Sequence, residues 1–487
     1  MGKKSEKSRG KFSATKRNEL KILADGILEK SREKLPDASA EYENYNEIYN
    51  LLERIIMIES EIKHQFKTSR SEEAIKRFTE WCKSEGAKFD RVEIKRLPGY
   101  GFGLIAKEPM KENEVFIEIP EKMIFSYSKI ENHIPEALKQ KVFLECPLFE
   151  NMSVRLAIAL MVEKMNIKSK FKPYFDVLPE KFRTVLYFTP KEMKELQGTS
   201  AFSPAIKQVK FIATQYSFLH NYLMASSEDN EPVLKELRDN FTYEFYRWAV
   251  SCVMTRQNLI PRENDEKESV LVPAWDMANH ANGPINTQYN DEAKQIESFC
   301  LKDFDVNEQV TIAYGSRSNI DFLIHNGFVF KENSNRFLTI PIHLNKTDEL
   351  HDDRVKLLKK IGLNESGLFQ ISPSCSSELL AFMRVFNMTK EQLAHWLNAD
   401  NVKDLLDIHL DLDVNFQRKV CQSLLIRVKI ILKLFPTTLK EDLQLLETGN
   451  LPKTRAMLIQ YRVIEKEILH YVVASLENQI KLFNTEE

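Results

Sequence analysis

The sequence predicts an α+β protein in which small β-sheets are interrupted by a helical insertion and followed by an all-helical C-terminal region. Three observations support this prediction. On either side of residue 100, apolar and polar residues alternate with the period of half-buried strands. From 121 to 258 the apolar spacing becomes helical, and short strand-like runs return between 269 and 313. From Thr347 onward the pattern is almost wholly helical.

Length and composition set the first limits. At 487 residues the chain is too long for one ordinary hydrophobic core, so we expect two or three domains. Hydrophobic residues make up 43% of the chain and only 14 residues are glycine, which is typical of an ordered globular protein. Lysine and arginine number 69 against 71 aspartates and glutamates. This balance argues against an obligate nucleic-acid partner.

Cysteine usage and hydropathy point to a cytoplasmic protein. The six cysteines are scattered and never form a CxxC pair, which favours reduced thiols over a zinc site or disulfides. No apolar run approaches the roughly 18 residues of a membrane span, and the first residues lack the apolar stretch of a signal peptide. We therefore expect no membrane partner, and we expect a monomer.

The pattern divides the chain into four segments. They are a disordered basic tail (1–18), N-terminal helices (19–90), a β-containing domain (91–345) whose helical insertion spans about 121–258, and a helical C-terminal domain (346–487). For the basic tail we favour a solvated charge run, although a nuclear-localisation signal, and hence a nuclear location, stays open.

The N-terminal segment contains three predicted helices. Helical spacing runs from Leu20 to Leu28 and from Tyr42 to Ile62. A third helix is expected to begin near Ser69, whose spacing to Glu72 fits a capping box, and to end at Gly86.

Glycines 99, 101 and 103 enclose Tyr100 and Phe102 between two predicted strands. A nucleotide-phosphate loop would lead from a strand into a helix, whereas this run leads to another strand. A glycine-lined turn that lets the backbone approach a small ligand is the better interpretation.

The predicted helix from Thr242 to Asn258 carries a buried apolar stripe that ends, by helical spacing, at Arg256. A buried guanidinium needs an anionic partner.

A polar segment follows the predicted strand at 269–273 and contains Asp276, Asn279 and His280. On their own these residues favour a plain turn with a core histidine. A zinc site lacks a second ligand at suitable spacing, and a serine hydrolase would need a Gly-x-Ser-x-Gly motif, which does not occur.

Taken in order, these pieces resemble the SET-domain methyltransferases: a glycine-rich turn, a strand followed by Asn279-His280, and a strand ending in Tyr314. The helical insertion and helical C-terminal region are similar to the group of the Rubisco large-subunit lysine methyltransferase, and within it to the actin-histidine N-methyltransferases. The stretches that carry this last similarity are Tyr246-Arg247-Trp248-Ala249-Val250, Val253-Met254-Thr255-Arg256-Gln257-Asn258, Trp275-Asp276-Met277, Asn279-His280, and Tyr314-Gly315 with Arg317-Ser318-Asn319.

The resemblance implies S-adenosylmethionine as the cofactor. Its implied contacts fall on Arg70, Tyr100, Gly101, Phe102, Arg256, Asp276, Asn279, His280 and Asn326. At two of these positions the sequence departs from the family: Tyr100 stands where an acidic residue is usual, and Asn326 where a small hydroxyl residue is usual. Contacts of these two side chains with the cofactor therefore do not follow from the resemblance.

The resemblance also implies the substrate, which is a specific histidine of actin methylated on its tele nitrogen. The implied catalytic residues are Tyr314 and Asn258, and the implied substrate contacts are Gln257, Asn258, Trp275, Tyr289 and Arg317. Two alternatives stay open: a protein-lysine methyltransferase on the same scaffold, and a non-catalytic adaptor.

Overall fold

A computed structural model describes residues 12–62, 67–225, 231–262, 266–372 and 376–485. The chain forms two compact units. The first consists of 1–187, 206–316 and 325–327, and the second of 188–205, 317–324 and 328–487. This division rests on packing alone, and the four segments inferred from the sequence stay a prediction.

The helices, in chain order, are α1 Ala14–Arg32, α2 Ala38–Glu59, α3 Glu72–Ser84, α4 Tyr127–Ile130, α5 Glu136–Leu138, α6 Met152–Met165, α7 Lys172–Val177, α8 Pro190–Glu195, α9 Phe202–Ala225, α10 Pro232–Asn240, α11 Tyr243–Arg256, α12 Asn319–Asp321, α13 His351–Lys360, α14 Ser377–Asn387, α15 Lys390–Asn398, α16 Val414–Leu434, α17 Leu439–Glu447 and α18 Lys453–Thr485.

The strands are β1 Val92–Leu97, β2 Gly101–Ala106, β3 Val115–Pro120, β4 Phe125–Ser126, β5 Asn258–Pro261, β6 Lys267–Leu271, β7 Asn279–His280, β8 Thr287–Asn290, β9 Gln295–Phe299, β10 Gln309–Ile312, β11 Leu338–His343 and β12 Ser366–Ile371.

Three small sheets organise the first unit, with strand orders β1-β2-β10-β7, β3-β9-β8 and β4-β6-β5. Strand β10 is central to the first of them, because it pairs antiparallel with β2 and parallel with β7. The parallel pair joins Thr311 to Asn279 and Ile312 to His280. Together with the helical second unit, these sheets confirm the predicted α+β class.

Several predicted boundaries need correction. The tail expected to be disordered to residue 18 already enters α1 at Ala14, while residues 1–11 lie outside the described part of the chain. The helix expected to begin near Ser69 has Ser71 as its N-cap, because the Ser71 side chain accepts from the Ala74 amide. Helix α11 ends at Arg256, and Asn258 begins β5 instead.

The C-terminal region is less uniformly helical than the sequence suggests. Strand β12 pairs antiparallel with β11 over six positions. Its alternation is weak, since only Phe369 and Ile371 are buried, which explains why a scan for periodicity passes over it. Capping boxes are present at Thr189, before α8, and at Thr389, before α15.

Helix α11, which carries Arg256 at its end, is anchored at its start by a buried carboxyl. Glu59, at the end of α2, accepts hydrogen bonds from the Tyr216 hydroxyl and from the backbone amide of Tyr243. Burial raises the pKa of Glu59 to about 8, although both hydrogen bonds act in the opposite direction. The first turn of α11 is therefore fixed by a side chain from the N-terminal helices.

The second unit contains a buried charge network. Asp442 accepts from Arg462 Nε at 2.8 Å and from Lys466 Nζ at 2.6 Å, and all three residues are at most 1% exposed. Glu195 Oε2 accepts from Arg462 Nη1 at 2.8 Å. Burial alone would raise the pKa of Asp442, but the hydrogen bonds from Arg462 and Lys466 outweigh it, so the pKa lies below its usual range.

We expect Asp442→Asn to destabilise the second unit by about 3–5 kcal/mol, because it leaves two buried cations without their shared carboxylate. Urea denaturation, followed by a fluorescence probe in the second unit, measures the change. Asp353→Asn is the matched control, since Asp353 pairs with Lys356 on the surface and its loss should cost less than about 0.5 kcal/mol. Equal effects of the two substitutions would contradict the assignment.

Candidate active site

The polar segment after β6 turns sharply before it rejoins the sheet. Ala274 adopts φ 68° and ψ −45°, and a short 3-10 helix, Trp275–Met277, follows it. These angles lie near the γ-turn region, which is rare and strained for a residue with a side chain. Asn279 and His280 then pair with β10 as β7. Within the 3-10 helix, the Asp276 side chain contacts Arg256 at the end of α11.

Asp276 is the anionic partner that the buried Arg256 requires. Its Nη1 lies 3.0 Å from Asp276 Oδ2 and donates to the Asp276 carbonyl oxygen at 2.8 Å. Tyr174 also donates its hydroxyl to Oδ2, at 2.6 Å. Burial alone would lower the pKa of Arg256, but the charge of Asp276 raises it above its usual value. Arg256 is therefore a permanent cation at the end of α11.

Two buried polar atoms of this cluster have no hydrogen-bond partner among the described residues. They are Oδ1 of Asp276 and Nε of Arg256. An unsatisfied buried acceptor and donor cost free energy, about 1–3 kcal/mol each, unless a ligand or water completes them. The pair therefore marks a place for a small polar ligand.

Arg70 and Arg96 add positive charge beside the pair. Both guanidinium groups lie 4.8 Å from the centre of the Phe102 ring. Burial and the nearby charge of Arg256 lower the pKa of Arg70 to about 9, which shows that its charge is poorly compensated. The positive charges of Arg256 and Arg96 thus act on Arg70 together with one nearby carboxylate, that of Asp276. This excess of positive charge suits an anionic ligand group, which arginine binds in bidentate fashion.

Asn279 and Gly103 lie beside Phe102. We call Arg70, Arg256 and Asp276, together with Asn279 and His280, the cradle. The Asn279 side chain donates to the carbonyl oxygen of Phe102 at 3.3 Å. A Cβ on Gly103 would lie 2.5 Å from Leu97 Cδ1 and 2.8 Å from Asn279 Nδ2, so glycine leaves room here for both side chains. Gly101, at φ 88°, faces open space. Tyr100 is 68% exposed, so its side chain points to solvent.

His280 and Tyr314 form a second group of contacts. The backbone amide of Tyr314 donates to Nδ1 of His280 at 3.2 Å, and the Tyr314 hydroxyl donates to the Ala278 carbonyl oxygen at 2.7 Å. Because Nδ1 accepts, His280 carries its proton on Nε2. Asn286, buried between strands, accepts from the Ala313 amide and donates to the Phe299 carbonyl oxygen. Hydrogen bonds therefore hold the Tyr314 amide, the Tyr314 hydroxyl and the amide of the preceding residue, Ala313.

Trp275 and Asn258 lie on neighbouring elements. The Trp275 indole donates to Thr287 Oγ1 at 3.0 Å and to Ser298 Oγ at 2.9 Å, which fixes the plane of the ring. Asn258 pairs with Val270 in β5, and its Oδ1 accepts from the Leu259 amide at 2.9 Å. Since a backbone N–H can only donate, the Asn258 side-chain atom that accepts this bond is its oxygen.

The remaining predicted site residues have other partners. Gln257 Oε1 accepts from Ser153 Oγ, and the Tyr289 hydroxyl donates to Glu121 Oε2 at 2.9 Å. Asn326 donates to the Thr255 carbonyl oxygen at 3.4 Å. Arg317 belongs to the second unit, where its carbonyl oxygen accepts from Asn333. The structure does not test the roles inferred for these residues or for the others, which stay predictions.

Two structural contributors were missed from the sequence. Tyr174 lies in the short helix α7, and its hydrogen bond to Asp276, 102 residues away, has no local signal in the sequence. Asn286 precedes β8 and looks like an ordinary loop residue. No group of three or more histidine, cysteine, aspartate or glutamate side chains able to hold a metal occurs in the described ranges. Within those ranges, no helix is long and apolar enough to cross a membrane.

Comparisons with known proteins agree with this geometry. Residues 101–315 match the SET domain model, and residues 345–469 match the model named Rubisco LSMT substrate-binding. The actin-histidine N-methyltransferase of Drosophila melanogaster is 34% identical over 94% of this chain and 89% of its own length. That of Xenopus tropicalis is 33% identical over 100% of this chain and 85% of its own.

Two solved structures share the fold. The structure of Rubisco LSMT bound to AdoMet covers 85% of this chain and 93% of its own, with a TM-score of 0.65 and 20% identity. The SET domain of LSMT bound to lysine and AdoHcy gives a TM-score of 0.66 and 19% identity. The predicted SET-domain fold with a helical C-terminal region is therefore confirmed.

We expect Ala274→Gly to stabilise the first unit by about 1 kcal/mol, because glycine adopts positive φ without a steric penalty. Ala274→Val should destabilise it, since a β-branched residue is still less tolerated there. Thermal unfolding measures both changes. Ala213→Gly, in the middle of α9, is a control in ordinary helical backbone and should lower stability. Stabilisation of both glycine variants would show that backbone strain is not the cause.

Proposed function

The chain belongs to the family of the actin-histidine N-methyltransferases, SET-domain proteins with a Rubisco LSMT substrate-binding region, and on this premise we propose that it methylates a histidine of actin. We further propose that the tele nitrogen of the imidazole receives the methyl group. The observation that carries the proposal is the cradle of Arg70, Arg256 and Asp276 beside Asn279 and His280, because it can hold the cofactor end of such a reaction.

S-adenosylmethionine fits the residues of the cradle. Its amino-acid end carries a carboxylate and an ammonium group. The carboxylate suits the poorly compensated guanidinium of Arg70, and the ammonium group suits the unpartnered Oδ1 of Asp276. When bound, this cofactor supplies an electrophilic methyl group on a sulfonium sulfur. The glycine turn at Gly101 and Gly103 leaves backbone room beside it.

The choice of histidine rather than lysine follows from protonation. A lysine with a pKa of about 10.4 costs roughly 4–5 kcal/mol to deprotonate at pH 7, whereas a histidine near 6.5 is mostly neutral already. A histidine methyltransferase therefore needs control of the tautomer more than it needs a strong base. The catalytic task for this chain is alignment.

Asn258 can provide the tautomer control. Its Oδ1 already accepts from the Leu259 amide, which fixes the orientation of the side chain, and a carbonyl oxygen has a second lone pair. If that lone pair accepts the N–H of the pros nitrogen, the tele nitrogen keeps the lone pair that attacks the methyl group. Trp275, held by Thr287 and Ser298, offers a fixed flat surface for the ring.

Tyr314 is the proposed orienting residue. Its hydroxyl is held by the Ala278 carbonyl oxygen, and its ring lies 5.2 Å from that of His280. The hydroxyl oxygen can still accept a hydrogen bond, so it can polarise and position a group at the junction of cofactor and acceptor.

We place the reaction in the cytoplasm, where free thiols such as Cys82 and Cys252 stay reduced.

The direct test is mass spectrometry of purified actin incubated with the protein and isotope-labelled S-adenosylmethionine. We expect one labelled methyl group, on a histidine and at the tele nitrogen. Label on lysine would favour a lysine methyltransferase instead. Calorimetry with the cofactor separates both enzymes from a non-catalytic adaptor, which would not bind it.

We expect Asn258→Phe to lower histidine methylation by at least about 20-fold, a loss of roughly 2 kcal/mol, because the tautomer is no longer selected. The same variant should gain activity on a lysine placed at the target position, since an apolar wall suits an aliphatic chain. Radiometric assays on matched histidine and lysine peptides measure both effects. Full histidine methylation with no gain on lysine would contradict this role of Asn258.

We expect Tyr314→Phe and Asn279→Ala each to reduce kcat/KM by at least about 100-fold while leaving the thermal midpoint nearly unchanged. The first substitution removes the held hydroxyl, and the second removes the amide that bridges to Phe102. Tyr471→Phe is the control, because Tyr471 is 59% exposed on α18. Wild-type turnover by either site variant would exclude that residue from the site.

A further inference from the structure

Helix α16 of the second unit exposes an aliphatic stripe. Ile426, Ile430 and Leu434 are 59%, 54% and 60% exposed. They are spaced four residues apart, so they lie one above the other on a single face of the helix. We call these three residues the α16 stripe.

The stripe is not needed to hold the helix in place. The opposite face of α16 buries Val420, Leu424 and Val428, which are at most 4% exposed and belong to the core of the second unit. Isolated exposed aliphatic residues are common, but an aligned group on one face is a typical mark of an interaction surface.

Positive charge borders the stripe. Arg427 is half-buried, with its guanidinium 4.5 Å from the centre of the Phe386 ring. No carboxylate of the described residues lies within salt-bridge distance of it, and burial lowers its pKa. The exposed Lys433 borders the other edge of the stripe, next to Ile426 by helical spacing. A guanidinium stacked on an aromatic ring is held in place to receive a carboxylate.

We propose that the α16 stripe, with Arg427, is a docking surface for an acidic and apolar segment of the folded protein substrate, remote from the histidine that is methylated. This inference rests on the proposed function, and it adds to it a second contact with the substrate. It lies within the residues that match the substrate-binding family model.

Charge favours a foreign partner over a second copy of this chain. In a symmetric contact through this stripe, each Arg427 and Lys433 would meet the same cations of the other copy. Like charges facing each other disfavour such a contact, whereas an acidic partner supplies the missing carboxylate.

Loss of the stripe should weaken binding of the substrate without slowing methyl transfer. A docking contact that does not involve the reacting atoms contributes equally to the ground state and the transition state, so its loss raises KM and leaves kcat unchanged. A short peptide around the target histidine lacks the rest of the actin surface, including the acidic and apolar segment proposed to bind the stripe. The stripe should therefore matter for folded actin and not for the peptide.

The test compares wild type with the double variant Ile426→Glu/Ile430→Glu on two substrates: folded actin, and a peptide of about 15 residues centred on its methylated histidine. We expect KM for actin to rise about tenfold or more, in the range of interface hot spots, while values for the peptide stay within about twofold. The matched control is Ile22→Glu/Met57→Glu, at two exposed apolar positions on α1 and α2. This control variant should leave KM unchanged for both actin and the peptide.

A second variant, Arg427→Gln, should raise KM for actin less than the double variant does and should weaken its dependence on salt. Unchanged KM for actin in the double variant, or equal losses on actin and peptide, would overturn the proposal. So would a wild-type dimer in sedimentation, or binding to phosphatidylserine vesicles, that the double variant abolishes. If wild type methylates neither substrate, the proposed function fails, and direct binding of actin to wild type and variant still tests the stripe.

Discussion

The buried ion pair between Arg256 and Asp276 is the constraint on which the site depends. Burying two charges costs several kcal/mol per ion, and the cost is tolerable only when geometry is good and further hydrogen bonds are made. Here Tyr174 and the Asp276 carbonyl oxygen supply those bonds. The pair joins the end of α11 to the segment that follows β6, so two residues 20 positions apart are held in one arrangement across the intervening β5–β6 pair.

That arrangement leaves the cradle electrostatically incomplete. Arg70 and Arg256 carry more positive charge than Asp276 compensates, and one oxygen of Asp276 has no partner among the described residues. The uncompensated charge lowers the stability of the protein without ligand, and a zwitterionic ligand that binds there raises it. The chain offers no activated nucleophile in this cluster, which agrees with a reaction in which the cofactor and the acceptor bring the reacting atoms.

Much of this could be predicted from the sequence, and the reasons differ from residue to residue. The need of Arg256 for an anion followed from helical periodicity, and the SET-domain fold followed from long matching stretches. The hydrogen bond from Tyr174 could not be found, because a tyrosine in a short helix has no signature for a partner far along the chain. Strands β5, β7 and β12 were missed because they are short or weakly alternating, so pairing with neighbours, and not local pattern, determines them. The N-cap at Ser71 was missed because Ser69 fits the same local rule.

The central position of β10 has a consequence for how the chain folds during synthesis. Strand β2 begins at Gly101 and β10 ends at Ile312, so roughly 200 residues separate two strands that pair. At 5–20 residues per second, β2 leaves the ribosome on the order of 10–40 s before β10 exists. During that interval one edge of β2 has no strand to pair with and is open to other chains. The first unit therefore completes its central sheet late, and nascent-chain chaperones have a defined edge to protect.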